Sequence, residues 1–214
     1  AMVTRLLKDK EDEVAQHYAV KTVENICSQG GEWASRFANQ DVVFNLVQVY
    51  NASSKAGGEH LKATTASTLA RLLRHSPPLV AYMIDKFGVR LIVAGLGDTS
   101  SKVQTAAVNM LNLALAQPDL SMRAKAALGE ERSLVPSLMA LLDHSLPLLR
   151  AKGVVAVLLL CRLSTRWLLE ACKAKLVPSI ERLARDKDEY VAAAIAALRN
   201  EMSRFVPAIS GQIN

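Results

Sequence analysis

Apolar positions recur along this chain in blocks of about ten residues that return after 42 to 46 residues. The blocks "LVPSLMALLDHS" from Leu134 and "LVPSIERLARDK" from Leu176 are the clearest, and "GVRLIVAGLGDT" from Gly88 and "DVVFNLVQVYNA" from Asp41 fit the same frame. One position of the aligned blocks is a valine in every copy: Val43, Val89, Val135 and Val177. Such a period indicates an array of similar units.

A second pattern follows each block. A large apolar residue, a small residue and another apolar residue stand four positions apart, as in Val103, Ala107 and Leu111. This spacing predicts a helix with all three on one face, where the small middle residue lets a neighbouring helix approach closely. The other sets are Leu61, Thr65, Leu69; Leu149, Gly153, Val157; Tyr190, Ala194, Leu198; and, more weakly, Ala15, Ala19, Val23.

A shorter helix is predicted before each block. Trp33 and Trp167 both stand ten residues before their marker valine, and the prolines at Pro78 and Pro118 are helix-start signals in the other two copies. Each unit is therefore expected to contain a short helix, a second helix of about ten residues and a longer third helix.

The sequence predicts a single repeat array over 1–214. Its parts are a partial repeat 1–30, repeats at about 31–75, 76–117, 118–163 and 164–205, and a tail 206–214. The stretch "VTRLLKDKEDEV" from Val3 begins inside a second helix, without the polar cap that the end of a helical array needs. We therefore expect the chain to be a fragment of a larger protein.

Three helices in about 42 to 46 residues is the armadillo or HEAT period. The "GVxxL...LL" second helix and the third helices "VQTAAVNMLNLA" and "YAVKTVENI" resemble the armadillo family over essentially the whole chain. The fold class that this resemblance implies is all-α: a right-handed α-superhelix, or solenoid, of armadillo/HEAT-like three-helix repeats whose third helices line the concave surface.

The opening stretch "LLKDKEDEVAQHYAVKTVENI", and mainly its core from His17 to Ile26, resembles the helical-repeat tails of Fused-related protein kinases of the Unc-51-like kinase four and plant Runkel type. This resemblance implies a non-catalytic, partner-recruiting region linked to microtubule processes such as ciliogenesis or cytokinesis. It also implies a cytoplasmic location, at the cytoskeleton or cilium, with microtubule-associated proteins among the partners.

The stretch "VRLIVAGLGDTSS" looks at first like the strand and glycine turn that bind a dinucleotide. A dinucleotide turn needs a third glycine where this chain has Ser100, and the stretch fills the slot of a second helix in the repeat frame. We expect a helix that stops at Gly97, a cap at Thr99 or Ser100 for the next helix, and a close helix contact at Gly95.

Composition excludes several classes. The 26 Lys and Arg against 20 Asp and Glu give a net charge of +6, but basic and acidic residues alternate over most of the chain, which disfavours nucleic-acid binding. The longest apolar run is far short of a membrane span, and the first residues lack a signal-peptide core, so an intracellular protein is expected. Cys27, Cys161 and Cys172 lack metal or redox spacing and are expected to be buried free thiols.

The armadillo resemblance also implies a groove along the third helices. In importin-α and β-catenin an asparagine there hydrogen-bonds an extended peptide, because its amide offers a donor and an acceptor. Only Asn25 and Asn200 keep that residue, and the tryptophan usual four positions earlier is absent, so nuclear-localisation peptides are not expected. The candidate groove residues are Lys21, Asn25, Ser67, Arg71, Asn109, Leu113, Leu159 and Asn200.

The apolar groove positions Leu113, Val155 and Leu159 leave two alternatives open. They either accept a partner helix or another copy of the protein, or they pack against adjacent helices of the chain. A basic cluster late in the sequence is a further candidate, as a patch for microtubules or nucleic acid or as a solvated helix surface. Its members are Arg166, Lys173, Lys175, Arg182, Arg185 and Lys187.

No enzymatic activity is expected. The four histidines are scattered at differing positions of the repeats, and no metal-ligand pair, nucleophile elbow, Walker loop or kinase signature occurs in the sequence. The sequence therefore predicts neither a catalytic site nor a cofactor, and it favours a protein-interaction scaffold.

Overall fold

The protein is represented by a computed structural model, which describes residues 2–8, 12–53, 58–118 and 122–210, with side chains as far as 205. These residues form fourteen α-helices and no strand, so the predicted all-α fold is confirmed. The helices are α1 (Met2–Leu7), α2 (Glu13–Gln29), α3 (Gly31–Phe37), α4 (Gln40–Ala52), α5 (Glu59–His75), α6 (Pro78–Phe87), α7 (Arg90–Leu96), α8 (Ser101–Leu115), α9 (Met122–Glu130), α10 (Leu134–Leu142), α11 (Pro147–Leu163), α12 (Thr165–Lys173), α13 (Leu176–Leu183) and α14 (Glu189–Ser210).

Helix lengths follow a repeating order of three along the described residues. Short helices of 7 to 10 residues, α3, α6, α9 and α12, each precede a second helix of 7 to 13 residues. A long helix of 15 to 22 residues then follows, as α5, α8, α11 and α14. The first long helix, α2, follows α1 directly.

The chain divides into two compact units, residues 1–130 and 131–214. In the first unit the long helices α2, α5 and α8 pack side by side, with α4 against α5 and α7 against α8. In the second unit α11 packs against α14, and α10 packs against α11. The division falls between α9 and α10, inside the repeat predicted at 118–163, and the single array remains a prediction.

Small and branched aliphatic side chains fill both cores. Val103, Ala107 and Leu111 are all buried, as their spacing predicts. In the second unit Leu149 and Val157 are buried on α11 in the same way. Each long helix therefore presents one apolar stripe to its neighbours, and this packing stabilises helices whose propensity alone is modest.

The expected set on α14 is wrong in its first member. Tyr190 is 72% exposed, and the buried stripe consists of Val191, Ile195 and Leu198. A helix turns about 100° per residue, so positions i and i+7 lie within about 20° of each other, whereas i and i+8 diverge by about 80°. Val191 and Leu198 therefore share the buried face, and Tyr190 lies outside it.

The marker position of the second helices also shifts in the later copies. Val89 is buried, but Val135 is only half-buried and Val177 is 48% exposed. The buried residues there are Leu134 and Leu176. These leucines open α10 and α13, so they supply the first apolar side chain one residue earlier than the valine alignment predicts.

The glycine stretch forms a junction between two helices, as predicted. Helix α7 ends at Leu96 with Gly97 as its C-cap, and the Ser100 hydroxyl caps α8 by accepting a hydrogen bond from Val103 N at 3.5 Å. A Cβ atom at Gly95 would lie 2.9 Å from the Cβ of Ala107, which is closer than two carbon atoms normally approach. The glycine thus lets α7 lie directly against α8.

Ion pairs join the start of a long helix to the loop before the next long helix in both units. Lys62 Nζ of α5 lies 2.6 Å from Asp98 Oδ2 in the loop after α7. Arg150 of α11 donates two hydrogen bonds to Asp186 in the loop after α13, from Nε at 2.7 Å and from Nη2 at 3.0 Å. These hydrogen bonds hold the pKa of Asp186 below its usual value, together with the bond that Asp188 N donates to it.

The three cysteines are free, but they are not all buried. Cys27 and Cys161 lie in the core, and burial raises the pKa of the Cys27 thiol and raises that of Cys161 to about 11. Cys172 is exposed at the end of α12, so the expectation of a buried thiol is wrong there. The sequence of α12 places Leu168 and Ala171 on its buried face instead.

Candidate binding site on the long helices

The candidate groove residues lie on the surface of the long helices. Lys21, Asn25 and Asn200 are exposed, and the remaining five are partly exposed. Six of the eight lie in the first unit, on α2, α5 and α8, and Leu159 and Asn200 lie in the second. The apolar positions Leu113 and Leu159 are neither fully packed nor fully open.

A buried carboxylate lies between α2 and α5. The Glu24 side chain is only 7% exposed, because Val20, Glu24 and Cys27 follow each other at helical spacing on the buried face of α2. Its Oε2 atom accepts a hydrogen bond from Lys21 Nζ at 2.6 Å, and its Oε1 atom accepts one from Ser67 Oγ of α5 at 2.6 Å. Burial of this charge is therefore offset by direct partners.

Two further cations approach the same carboxylate. Arg71 Nε and Lys102 Nζ each lie 3.8 Å from Glu24 Oε1, beyond hydrogen-bonding distance. The side chains of these two residues are 40% and 45% exposed. We call the group formed by Lys21, Glu24, Ser67, Arg71 and Lys102 the Glu24 cluster; it joins three long helices of the first unit.

The electrostatics of the Glu24 cluster keep its carboxylate ionised. Burial alone raises the pKa of Glu24, but the hydrogen bonds from Lys21 and Ser67 and the nearby charge of Lys102 outweigh it, so that the pKa lies below its usual value. The cluster is thus a fixed negative charge surrounded by three cations.

Two histidines lie beside the cluster. The rings of His17 on α2 and His60 on α5 stack with their centroids 5.0 Å apart and an interplanar angle of 29°. Burial lowers the pKa of His17, and His60, Lys21 and Lys102 lower it further by charge repulsion, while Glu24 opposes them. The pKa of the His17 imidazole therefore depends on the positive charge on this face.

In the second unit a different acid stands near the predicted groove position. Glu201 directly follows the predicted groove residue Asn200 on α14. Glu201 is buried and accepts hydrogen bonds from Arg162 Nε at 3.1 Å and Nη2 at 2.9 Å. Asn200 itself is exposed.

The six basic patch residues lie on or beside α12 and α13, in the second unit. Lys173 pairs with Glu170 at 3.2 Å, and Arg182 donates to the Leu142 carbonyl and pairs with the Asp143 carboxylate. The Arg166 guanidinium lies over the ring of Trp167, 5.6 Å from its centroid. Exposed side chains complete the patch: Lys175, Arg185 and Lys187.

Within the described residues, no group of three or more His, Cys, Asp or Glu side chains is arranged to hold a metal ion. In the same part of the chain, every helix is too short or too polar to cross a lipid bilayer.

Sequence reasoning found three of the five members of the Glu24 cluster and missed two. Glu24 was detectable, because the spacing of Val20, Glu24 and Cys27 places it on the buried face of α2. Lys102 carried no such signal: it lies in the first turn of α8, 78 residues from Glu24, and only the packing of the helices brings the two together.

Comparison with solved structures identifies the fold. Computationally designed armadillo repeat proteins for modular peptide recognition superpose with a TM-score of 0.77, over 94% of this chain and 80% of theirs, at 17% identity. This chain has the armadillo-repeat fold.

Two curated relatives match almost all of this armadillo-repeat chain. Serine/threonine-protein kinase RUNKEL of Arabidopsis thaliana is 35% identical over 97% of the chain, and serine/threonine-protein kinase ULK4 of Mus musculus is 28% identical over 99%. The resemblance to Fused-related kinases is confirmed. The chain spans only 15% and 16% of the lengths of these relatives, and no protein-family profile matches it.

Proposed function

We propose that this chain is a non-catalytic protein-interaction scaffold, the partner-recruiting repeat region of a Fused-related kinase or pseudokinase. The observation that carries the proposal is the face of α2, α5 and α8, where polar side chains of three adjacent helices lie together around Glu24. Stacked helices hold such a face in place before a partner arrives, so little ordering is needed on this side of the complex.

The proposed mode of binding is an extended segment or a helix of the partner lying across this face. Asn25 is exposed next to Glu24, and its amide can both donate to and accept from a peptide backbone. Arg71 is the polar side chain that corresponds to it on α5 and is 40% exposed. Both side chains are therefore positioned to contact a bound chain.

The biological setting that we propose rests on the resemblance to Fused-related kinases. Both are named as protein kinases, and the matched segment is a small part of each. We assign the chain to a cytoplasmic protein at the cytoskeleton or cilium, which recruits microtubule-associated proteins for processes such as ciliogenesis or cytokinesis.

The scaffold proposal is tested by quantitative affinity capture. We compare the wild-type chain with the double variant Asn25→Ala/Arg71→Ala and with a matched control, Asn51→Ala/Arg90→Ala, whose side chains are exposed on the second helices α4 and α7 of the first unit. We expect partners to be lost with the first variant and retained with the control. Equal capture by all three chains would contradict binding at this face.

The basic patch supports a second candidate function, binding to the acidic surface of microtubules or nucleic acid. It is favoured by Lys175, Arg185 and Lys187, which are exposed and for which no ion pair is found among the described residues. Co-sedimentation with microtubules over a salt series tests it, because screening weakens such binding steeply. Salt-insensitive binding, or binding unchanged by replacing all three residues with glutamine, would exclude the patch.

A further inference from the structure

The Glu24 cluster holds more positive charge than its own carboxylate neutralises. Three cations surround one carboxylate, and of these only Lys21 is within hydrogen-bonding distance of it. Arg71 Nε and Lys102 Nζ lie 3.8 Å away, which is too far for a direct hydrogen bond to Glu24, and both side chains are partly exposed. The cluster therefore presents two partly exposed cations that Glu24 does not bind directly.

The surplus charge is held in place. Glu24 is buried and bonded from two helices, by Lys21 of α2 and Ser67 of α5, so it anchors the cations around a fixed centre. The outer cations come from α5 and α8 and are each roughly half exposed. A ligand that lies across these helices can thus reach both cations without disturbing the core.

We propose that the Glu24 cluster binds an acidic peptide segment of a partner protein, whose carboxylates pair with Arg71 and Lys102. This inference rests on the proposed scaffold function and specifies the chemistry of the partner. An Arg guanidinium suits a carboxylate because it can donate two parallel hydrogen bonds. A basic segment meets three like charges here and is rejected.

The pKa of the neighbouring His17 should indicate whether an acidic segment is bound to the Glu24 cluster. The pKa of His17 is lowered by burial and by His60, Lys21 and Lys102. Carboxylates that neutralise Lys102 remove part of this repulsion, so the pKa of His17 rises when the segment binds. Glu24, which already opposes the lowering, is unchanged by binding, so the shift is specific to the added anion.

The test uses the chain 1–214 and a fluorescein-labelled peptide of eight glutamates, with binding followed by fluorescence anisotropy at low salt. Arg71→Gln/Lys102→Gln is expected to weaken binding by about tenfold or more, since it removes both proposed contacts. The control Lys86→Gln/Arg90→Gln, which makes the same charge change at exposed positions of the first unit, is expected to change it by less than about twofold.

Further probes fix the chemistry of the ligand. A peptide of alternating lysine and arginine should not bind, and a phosphoserine peptide of equal net charge should bind no tighter than the glutamate peptide. Tighter binding of the phosphopeptide would overturn the carboxylate assignment. Equal losses in the test and control variants would overturn the site. By NMR, the His17 pKa should rise on peptide binding in the wild-type and control chains and not in Arg71→Gln/Lys102→Gln.

Thermal melting confirms that the test variant is folded, and Lys102→Gln alone replaces it if it is not. The outcomes also distinguish a failure of the acidic-segment inference from a failure of the scaffold proposal. If the glutamate peptide does not bind but partners are still captured through Asn25 and Arg71, the acidic-segment inference is wrong and the scaffold stands. If capture is also independent of these residues, both are wrong.

Discussion

Lys62 and Arg150 are each the fourth residue of a long helix, and each forms an ion pair with an aspartate 36 residues further along the chain. One pair lies in each compact unit. The partner aspartate follows the next second helix in both cases. In each unit, a basic residue in the first turn of one long helix therefore forms an ion pair with the loop that leads into the next long helix.

Loss of the Arg150 pair should destabilise the second unit. We expect Arg150→Met to lower the free energy of unfolding by roughly 1.5–3 kcal/mol, because it removes the hydrogen bonds to the mostly buried Asp186 and to the carbonyls of His144 and Ser145. Urea denaturation at neutral pH measures this. The control Arg185→Met, at an exposed position, should stay within about 0.5 kcal/mol of wild type. Equal effects would show that the pair contributes nothing.

Glu24 should make stability depend on pH in the acid range. Its folded-state pKa lies below the usual value, so its stabilisation is present above the unfolded pKa and is lost as the pH falls through the folded one. We expect Glu24→Gln to be less stable than wild type at pH 7 and the difference to shrink below about pH 4. Urea midpoints over a pH series measure it; a difference that is constant with pH would contradict the ionised carboxylate.

Substitution of Gly95 should force α7 away from α8. The added Cβ of Gly95→Ala meets Ala107 Cβ at 2.9 Å. We expect a net loss of up to about 2 kcal/mol, since overpacking costs roughly 1–3 kcal/mol and the helix propensity of alanine recovers about 1. Thermal denaturation measures it. Ala107→Gly removes the Cβ that Gly95→Ala meets, so the double variant Gly95→Ala/Ala107→Gly should lose less stability than the sum of the two single variants. A loss equal to that sum would show that this contact is not the cause.

The three thiols should differ in reactivity. Cys172 is exposed, whereas Cys27 and Cys161 are buried; burial raises the pKa of all three thiols, that of Cys161 to about 11. A disulfide reagent at pH 8 should modify one thiol rapidly in the native chain and all three after denaturation, because the thiolate is the reacting species. Cys172→Ser should abolish the rapid phase. Rapid modification that persists in this variant would place a second thiol at the surface.

The sequence was sufficient to predict the helices but not every register within them. Gly95 was correctly interpreted because a glycine inside an apolar helix has few uses besides a close contact. Tyr190 was not, since a shift of one residue turns a side chain by about 100°. Alanines fill most of the positions after Val191, so few large apolar side chains in the sequence define the register.

The candidate site was predicted only in part for a different reason. Lys21 and Asn25 could be placed on one helix face by spacing alone. The hydrogen bond between Ser67 and Glu24 joins residues 43 positions apart, and such a contact depends on how whole helices pack. Local periodicity shows which side chains face outward, but not which of them meet.

Glycines at the contacts between second and third helices stand on different sides in the two units. Gly95 is on the second helix and faces Ala107, whereas Gly153 is on the third helix, where an added Cβ would meet Leu142 Cδ1 at 3.1 Å and Leu141 Cβ at 3.2 Å. The smallest residue of the contact thus lies on the second helix in one unit and on the third helix in the other. In both units it lets the two helices lie close together. In an alignment of related sequences, these positions should covary in size, and a larger residue on one helix should accompany a smaller one on the other.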